Sequence, residues 1–376
     1  MLFACDRLLA PHAPRAPTEN SLRLPRFPTG RGGIENQNAA LARFLPRHAE
    51  VTTLANKRGK KALPLFLPWA LLRALWLSRR HDVLLLGDGV LGVVGYCVKR
   101  VHGRRKRVVC ILHGLDLTYD RPIYQRLWVR RFIPAADRLI AVGRETIAAG
   151  AARGIAKRQF DFIPNGVDTR RFTPASADSA RLATLLRTDP DNKQILLTGG
   201  RLVRRKGVAW FIEQVLPALP ERVIYVVAGD GPDRAHIERA ARRSGQAARV
   251  RLLGRVSDSD QLLLLRGCDL FIQPNIAVKG DMEGFGLVVL EAGGAGAPVV
   301  ASRLEGLKDA IDDGENGILV ASGDVSAWKA TLTRLLADEP ARKQLGARAR
   351  AHVARRHDWD IIARRYVEIL ARACAF

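Results

Sequence analysis

The strongest constraint on the fold is a repeated alternation of short apolar runs with longer helical patterns. Four runs rich in Val, Ile and Leu occur in the first half of the chain and six in the second. They are DVLLLG near 82, RVVCILHG near 107, RLIAVG near 138 and FDFIPNG near 160, then QILLTGGR near 194, RVIYVVAGDG near 222, RVRLLGRV near 249, CDLFIQPN near 268, APVVAS near 297 and NGILV near 316. Strands that alternate with helices form βαβ units. The pattern therefore predicts an α/β protein with two Rossmann-like domains facing across a cleft, and the Gly, Asn, Asp and Pro residues at the strand ends are typical of ligand-binding loops.

The boundary between the two domains is predicted near Pro174. The segment from Asp168 to Ala183 loses apolar periodicity and gains Pro, Ser and Asp, as linkers do. We therefore expect an N-terminal domain over 1–173 and a C-terminal domain over 174–376. The last helix, predicted over about 357–376, has apolar residues at helical spacing on a basic background. The sequence does not restrict where this helix packs, and packing back on the N-terminal domain is one option.

Positive charge is concentrated in the first half of the chain. The 376 residues carry a formal net charge of +24, and residues 1–172 contain 31 basic and 12 acidic side chains against 30 and 25 in the rest. Such an excess attracts a nucleic acid, an anionic membrane surface or a phosphate-bearing substrate through the same long-range field. Charge alone does not choose among the three.

Composition and cysteine spacing favour a cytoplasmic globular protein. A hydrophobic fraction of 47% with 26% charged residues excludes a disordered or fibrous chain. The five cysteines stand far apart without a CxxC pair, which predicts neither a zinc site nor a disulfide framework. The start of the chain lacks the continuous apolar core of a signal peptide. The apolar stretch from Ala62 to Leu77 is interrupted by Pro64, Pro68 and Arg73 and is shorter than the roughly 20 residues that span a bilayer.

The most specific segment is DMEGFGLVVLEAGGAGAPVVAS, from Asp281 to Ser302, which lies between two predicted strands. Gly284 and Gly286 expose the backbone where a helix begins, so the N–H groups near Phe285, Gly286 and Leu287 are expected to meet an anion such as a diphosphate. Glu283 and Glu291, with seven residues between them, place two carboxylates near the same ligand. Carboxylates suit sugar and ribose hydroxyls because each accepts two hydrogen bonds. The alternative is a surface helix with two solvated glutamates.

A second segment, LTGGRLVRRKGVAWFIEQV, supplies cations at the end of a strand. Arg201 is expected to hold two phosphate oxygens with its planar guanidinium, and Lys206 to add a point charge that stabilises a departing nucleoside diphosphate. Arg204 and Arg205 are predicted to be solvated. Taken alone, basic residues in a loop are more often surface residues than ligands, and the nearby acidic segment favours the site.

Together these segments resemble the retaining GT-B glycosyltransferases of family four. The resemblance rests on six motifs, which in chain order are GGIE from Gly32, HG at His113, PNGVD at Pro164–Asp168, GRLVRRKG, GDGP at Gly229–Pro232 and EGFGLVVLEA. They occur in the order found in that family, and the resemblance covers about 26–370. It implies transfer of a hexose from a nucleotide-sugar, either a UDP-sugar or GDP-mannose, with retained configuration. It implies no metal and no other cofactor, since the nucleotide-sugar is a co-substrate.

The resemblance also implies roles for individual residues. Arg201 and Lys206 would bind the diphosphate, Glu291 the ribose, and Glu283 with the backbone of 285–287 the hydroxyls of the donor sugar. His113 would lie beside the reacting sugar. The nucleotide base would be contacted near Arg255 and Val256. The backbone of Gly32 and Gly33 would approach the phosphates from the other domain. The acceptor would bind mainly to the N-terminal domain, and PNGVD is assigned no chemistry.

The acceptor is expected to be a cell-envelope glycan, such as lipopolysaccharide, or a lipid-linked sugar. The stretch from Lys57 to Asp82 joins Trp69 and Trp76 to basic residues at both ends, as interfacial helices do, and it also fits an ordinary helix packed on the first sheet. We therefore expect a cytoplasmic enzyme. Its peripheral binding to the inner face of the cytoplasmic membrane is a hypothesis. A nucleic-acid-binding protein is the rival of another class, although no aromatic platform or zinc finger supports it. A different reaction on the same fold, such as epimerisation or phosphorolysis, is the third alternative.

Overall fold

The computed structural model describes residues 1–5, 33–56, 63–172, 177–190 and 192–374. These residues form two compact units, Met1–Gly166 with Trp359–Phe376, and Val167–Asp358. Each unit contains a six-stranded sheet with helices, so the predicted α/β class is confirmed. The boundary predicted after residue 173 falls in 173–176, outside the described residues.

The first unit is built on a sheet with the strand order β2-β1-β3-β4-β5-β6. Its strands are β1 (Leu2–Cys5), β2 (Val51–Leu54), β3 (Val83–Leu86), β4 (Arg107–Leu112), β5 (Arg138–Ala141) and β6 (Phe160–Phe162). Its helices before the second unit are α1 (Gly33–Phe44), α2 (Leu63–Leu77), α3 (Gly92–His102), α4 (Leu115–Thr118), α5 (Pro122–Tyr124), which continues as a π-helix over Gln125–Phe132, and α6 (Arg144–Ala151). Strands β3 to β6 are parallel, whereas β1 is antiparallel to both of its neighbours. All four residues of β1 are buried and apolar, as expected of a strand covered on both faces.

The second unit has a fully parallel sheet with the order β12-β11-β10-β7-β8-β9. Its strands are β7 (Gln194–Gly199), β8 (Val223–Ala228), β9 (Val250–Gly254), β10 (Leu270–Gln273), β11 (Val299–Ser302) and β12 (Ile318–Val320). Its helices are α7 (Ser179–Leu186), α8 (Val208–Gln214), α9 (Arg234–Arg243), α10 (Asp258–Gly267), α11 (Leu287–Ala295), α12 (Leu307–Ala310), α13 (Val325–Ala337) and α14 (Glu339–Arg356). Polar caps fix several helix starts: Asp324, for example, accepts a hydrogen bond from the backbone N–H of Ala327 at the start of α13.

The last helix, α15 (Trp359–Cys374), belongs to the first unit. Trp359, Ile362 and Leu370 are buried in the same apolar cluster as residues of α1 and β3. Gln37 on α1 donates a hydrogen bond of 2.9 Å to the hydroxyl of Tyr366. The chain therefore completes its first unit with a segment that follows the whole of the second.

Both sheets are covered on two faces, as their alternating side chains require. In β3, Leu84 and Leu86 join the apolar cluster of α2 and α3, whereas Val83 and Leu85 join that of α1 and α15. In the second unit the side chains of β8 alternate in the same way between α7, α10 and α11 on one face and α8, α9 and α13 on the other. No helix of the described residues is long and apolar enough to cross a membrane.

Candidate active site

The loops after β7 and β10 meet in the second unit beside the start of α11. The backbone N–H of Ile276, after β10, donates a hydrogen bond of 2.9 Å to the carbonyl of Arg205, which lies in the turn Arg204–Lys206 after β7. A Cβ atom on Gly200 would lie 3.7 Å from Cγ1 of Val288 in the first turn of α11. The parallel sheet thus brings the basic segment and the acidic segment together at the carboxyl ends of its strands.

A buried ion pair joins these two loops. The Nζ atom of Lys206 lies 2.5 Å from Oε2 of Glu283, and the two side chains are only 8% and 10% exposed. Asn275 donates a hydrogen bond of 3.1 Å to the same oxygen, and Nε of Arg205 lies 3.6 Å from it. Arg205 also pairs with Asp281 at 3.2 Å. The prediction that Arg205 is solvated is therefore wrong, because the loop after β10 supplies two carboxylates to it.

The charge of Glu283 is fixed by its neighbours. Burial opposes its ionisation, but Lys206 and Arg205 outweigh this effect and hold the pKa of Glu283 below its ordinary value. Glu283 is therefore a buried carboxylate at neutral pH. The sequence predicts separate ligands for Lys206 and Glu283, a phosphate and a sugar, whereas in the structure the two side chains contact each other.

The backbone of Glu283 is also held on both sides. Its N–H donates a hydrogen bond of 2.6 Å to the carboxylate of Glu305, and its carbonyl accepts one of 3.1 Å from Gly306. Neither Glu305 nor Asn275 is predicted as a site residue from the sequence. Asn275 lies just after a strand, and this position could have marked it as a site residue. No local pattern in the sequence marks Glu305.

The start of α11 depends on Gly286. This residue precedes Leu287 with φ at +77°, and a Cβ atom there would lie 2.5 Å from Cδ2 of Leu307. The side chain of Phe285 is 3% exposed and packs in the core, so a contact of this residue with a ligand would have to be made by its backbone. The first N–H groups of a helix have no partners within it, so this end of α11 is suited to an anion.

Arg201 lies on the exposed side of the neighbouring loop. The backbone on either side of it is fixed, since Gly200 donates to the carbonyl of Ala228 at 2.9 Å and Leu202 to that of Asp230 at 3.1 Å. A Cβ atom on Gly229 would lie only 1.8 Å from the carbonyl oxygen of Gly200. The GDGP motif therefore has a structural explanation: its first glycine lets two loops touch through their backbones.

Glu291 occupies the second turn of α11 and faces α10. Gln261 donates a hydrogen bond of 3.1 Å to its carboxylate, and burial raises the pKa of Glu291 although Arg171 opposes the shift. A small pocket in the second unit is lined by Arg171, Phe172, Asp258, Gln261, Leu262, Leu265 and Glu291. Arg255 and Val256 follow β9 immediately before α10, the first exposed and the second half-buried.

The remaining predicted residues lie in the first unit. His113 follows β4 and is 9% exposed; its Nε2–H donates to the carbonyl of Gly87 at 3.0 Å, and its backbone N–H donates to Asp116 at 2.8 Å. Burial raises the pKa of Asp116, and the nearby His113 partly offsets the shift. Gly33 is the exposed first residue of α1, and Gly32 lies outside the described residues.

Two family models match the chain, one in each half. The model described as Glycosyltransferase Family 4 matches residues 31–171, and the one described as Glycosyl transferases group 1 matches residues 187–352. The second match contains Arg201, Lys206, Glu283 and Glu291, and the first contains His113.

The chain is also similar in sequence to proteins named as glycosyltransferases. The chain is 28% identical to a GDP-mannose-dependent alpha-(1-6)-phosphatidylinositol monomannoside mannosyltransferase of Mycolicibacterium smegmatis, over 92% of this chain and 96% of that protein. It is 34% identical to a D-inositol 3-phosphate glycosyltransferase of Xylanimonas cellulosilytica, over 64% of this chain and 58% of that protein. Among solved structures, the Anabaena protein HepE in complex with UDP matches with a TM-score of 0.69 and 23% identity, over 80% of this chain and 82% of that one.

Proposed function

The chain belongs to family 4 of the GT-B glycosyltransferases, and from this premise we propose that it transfers a hexose from a nucleotide-sugar to a lipid-linked or glycan acceptor. The observation that carries the proposal is the buried cluster of Lys206, Arg205 and Glu283 beside the start of α11. Cations and a helix start suit a diphosphate, and a carboxylate held ionised suits sugar hydroxyls.

In the proposed mechanism the cations act on the leaving group. The bond between the anomeric carbon and the phosphate oxygen breaks, and Arg201, Lys206 and the first N–H groups of α11 stabilise the charge that develops on the diphosphate. The acceptor oxygen attacks from the same face, forms the new glycosidic bond and gives its proton to a phosphate oxygen. This route retains the anomeric configuration and needs neither a metal nor a covalent nucleophile.

Lys206 can serve this reaction without leaving Glu283. An ammonium group has three N–H donors, and the contact with Glu283 uses one of them. Glu283 thereby sets the position of the cation, and its own carboxylate is kept charged for the hydroxyls of the donor. Arg201, which is exposed on the adjacent loop, adds a planar guanidinium that matches two phosphate oxygens.

GDP-mannose is the first donor to test. The relative that spans nearly the whole chain is named as GDP-mannose-dependent, and its acceptor is a phosphatidylinositol monomannoside. The alternative donors are UDP-sugars. A lipid-linked acceptor would place the enzyme on the inner face of the cytoplasmic membrane, where the basic first half of the chain would favour an anionic leaflet.

The decisive experiment is calorimetric titration of the full chain with GDP, UDP, ADP and their sugars. One nucleotide should bind selectively, and Arg201→Ala and Lys206→Ala should each weaken it by about tenfold or more, since a hydrogen bond to a charged group contributes about 1.5–3 kcal/mol. Arg204→Ala is the control, because it removes the same charge from an exposed position in the turn that contains Lys206. Equal affinities in all four proteins would refute the site, and no nucleotide binding at all would refute the function.

A further inference from the structure

Helix α2 exposes a continuous stripe of large apolar side chains. Leu65, Trp69, Leu72 and Trp76 follow one another at spacings of four, three and four residues, so they lie along one side of the helix. Their exposed fractions are 79%, 45%, 70% and 43%. We call these four residues the α2 stripe.

The other side of the same helix is buried in the first unit. Phe66, Ala70, Ala74 and Leu77 belong to the apolar cluster beneath the sheet. A helix on the surface of a globular protein normally has polar residues on its exposed side, and one that is apolar all round is covered on both sides. The core covers one side of α2, and the α2 stripe is left for a partner.

The segment of the chain that contains the stripe carries charges of one sign. Residues 51–81 contain seven Lys and Arg and no Asp or Glu. Two of these cations lie directly on the stripe, since the guanidinium groups of Arg73 and Arg80 are 5.0 and 4.9 Å from the ring centre of Trp76. Four others, Lys57, Arg58, Lys60 and Lys61, precede α2 in the sequence.

We propose that the α2 stripe is the surface with which this chain docks on an anionic lipid bilayer. Apolar side chains enter the boundary between head groups and acyl chains, Trp rings occupy that boundary, and the exposed Arg73, Arg79 and Arg80 meet anionic head groups. The inference rests on the proposed function, because a lipid-linked acceptor requires the enzyme to work at a membrane. The α2 stripe makes the contact, and the lipid must be anionic.

The charge pattern favours a bilayer over a second copy of this chain. A symmetric dimer through the stripe would bring the same cations of both copies together without an acidic residue from 51–81 to compensate them. An anionic leaflet would compensate the cations that lie on the stripe, Arg73 and Arg80. The helix lies on the bilayer in this proposal and does not cross it, in keeping with its length of 15 residues.

The test is sedimentation of the full chain with vesicles of phosphatidylcholine alone and of phosphatidylcholine mixed with phosphatidylglycerol. We expect binding to the anionic vesicles, reduced but not abolished by high salt because the apolar contact persists. The double variant Leu65→Glu/Leu72→Glu should lower the binding by at least about tenfold, since it removes the two most exposed side chains of the stripe and adds two negative charges. Both positions are exposed, and circular dichroism and thermal melting should match the unaltered chain.

A control with the same change in net charge is available on α14. Ala347 and Ala351 are exposed there at a spacing of four residues, so Ala347→Glu/Ala351→Glu adds two negative charges far along the sequence from α2. This variant should retain most of the vesicle binding. If it loses binding as strongly as the α2 variant, net charge and not the stripe governs the association, and the proposal is overturned.

Tryptophan fluorescence reports which surface enters the lipid. Of the six tryptophans, Trp69 and Trp76 lie on the stripe, whereas Trp128, Trp210, Trp328 and Trp359 are half-buried or buried. Phosphatidylcholine brominated on its acyl chains, mixed with phosphatidylglycerol, should quench part of the emission. Trp69→Phe/Trp76→Phe should still bind the vesicles but lose that quenching, and quenching that persists would place another surface in the membrane.

Two further results separate this inference from the proposed function. Nucleotide titrations on the same protein test the function independently, so selective nucleotide binding without vesicle binding would overturn the stripe alone. Sedimentation velocity tests the other occupant. A dimer that Leu65→Glu/Leu72→Glu converts to a monomer, with no binding to either vesicle, would show that a second copy covers the stripe.

Discussion

Glu283 remains ionised in a buried position because its neighbours provide positive charge and a hydrogen bond. Lys206 contacts one of its oxygens at 2.5 Å, and Asn275 donates to the same oxygen at 3.1 Å. Removing only one member of a buried pair leaves a charge without compensation. The pair should therefore contribute to stability as well as to donor binding, and its contribution should depend on pH.

We expect Glu283→Gln to lower the free energy of unfolding by about 3–5 kcal/mol near neutral pH, because it leaves Lys206 buried without its carboxylate. The pKa of Glu283 is lowered from its ordinary value of 4.5, so its stabilising effect is present above that value and is lost as the pH falls through the lowered pKa. The difference between the two proteins should therefore shrink on acidification. Urea unfolding at neutral and at acidic pH measures both effects.

A surface pair provides the control for this prediction. Glu213 pairs with Arg243 at 2.5 Å, but the arginine side chain is 63% exposed. Glu213→Gln should change the free energy of unfolding by at most about 1 kcal/mol. If Glu283→Gln behaves like Glu213→Gln at every pH, the buried pair has no special electrostatic role.

At this scale the sequence identified the charged residues but not which of them touch. Glu283 and Lys206 stood out because each lies in a glycine-containing segment beside a predicted strand. The pairing of Arg205 with Asp281 joins residues far apart in the sequence, so local composition favoured a solvated arginine. Glu305 holds the backbone of Glu283 from the loop before α12, and no spacing rule connects the two.

Helix α11 has a glycine at each end, and the two glycines differ in what surrounds them. Gly286 at the start and Gly296 at the end have φ of +77° and +87°. An added Cβ atom would lie 2.5 Å from Leu307 at the first position and would have nothing within 4 Å at the second. An alanine at either position would have the same backbone strain. Only at the first position would it also disturb the surroundings of the proposed diphosphate site.

We predict that Gly286→Ala weakens nucleotide binding by at least about tenfold, because the new methyl group must displace either Leu307 or the first turn of α11. Gly296→Ala is the matched control. It should lose about 1–2 kcal/mol of stability from the left-handed backbone alone and keep its affinity. Calorimetric titration with the selected nucleotide, together with thermal melting, distinguishes the two effects. Equal affinity in both variants would contradict the assigned role of this helix start.

Most strands were predictable because their apolar runs end at turn residues. All ten predicted runs contain a strand of the structure. Strand β2 was missed because VTTL is short and only partly buried, so it carries no apolar signal. The direction of β1 was not predictable either, since a run of four buried apolar residues carries no sequence signal for parallel or antiparallel pairing. For α2 the sequence left two interpretations open, and the structure contains both a buried side and an exposed apolar side.

At the scale of the whole molecule, the chain order and the packing order differ. The first unit ends with α15, which is separated from the rest of that unit by all residues of Val167–Asp358. The helix fills one face of the first sheet with Trp359, Ile362, Tyr366 and Leu370, all of them buried. Sequence periodicity predicted this helix, but a periodic apolar face does not specify which sheet it covers.

This arrangement predicts that a substitution near the end of the chain destabilises the first unit and not the second. Leu370 is fully buried in the cluster that contains Val83 and Leu85 of β3, so Leu370→Ala should cost about 2–5 kcal/mol. Glu368→Ala changes an exposed residue of the same helix and should alter stability by at most about 0.5 kcal/mol. Hydrogen exchange should accelerate in peptides that contain Val83–Leu86 and stay unchanged in those that contain Val223–Ala228. Faster exchange in both strands would mean that the two units unfold together, and faster exchange in the second strand alone would contradict the assignment of α15 to the first unit.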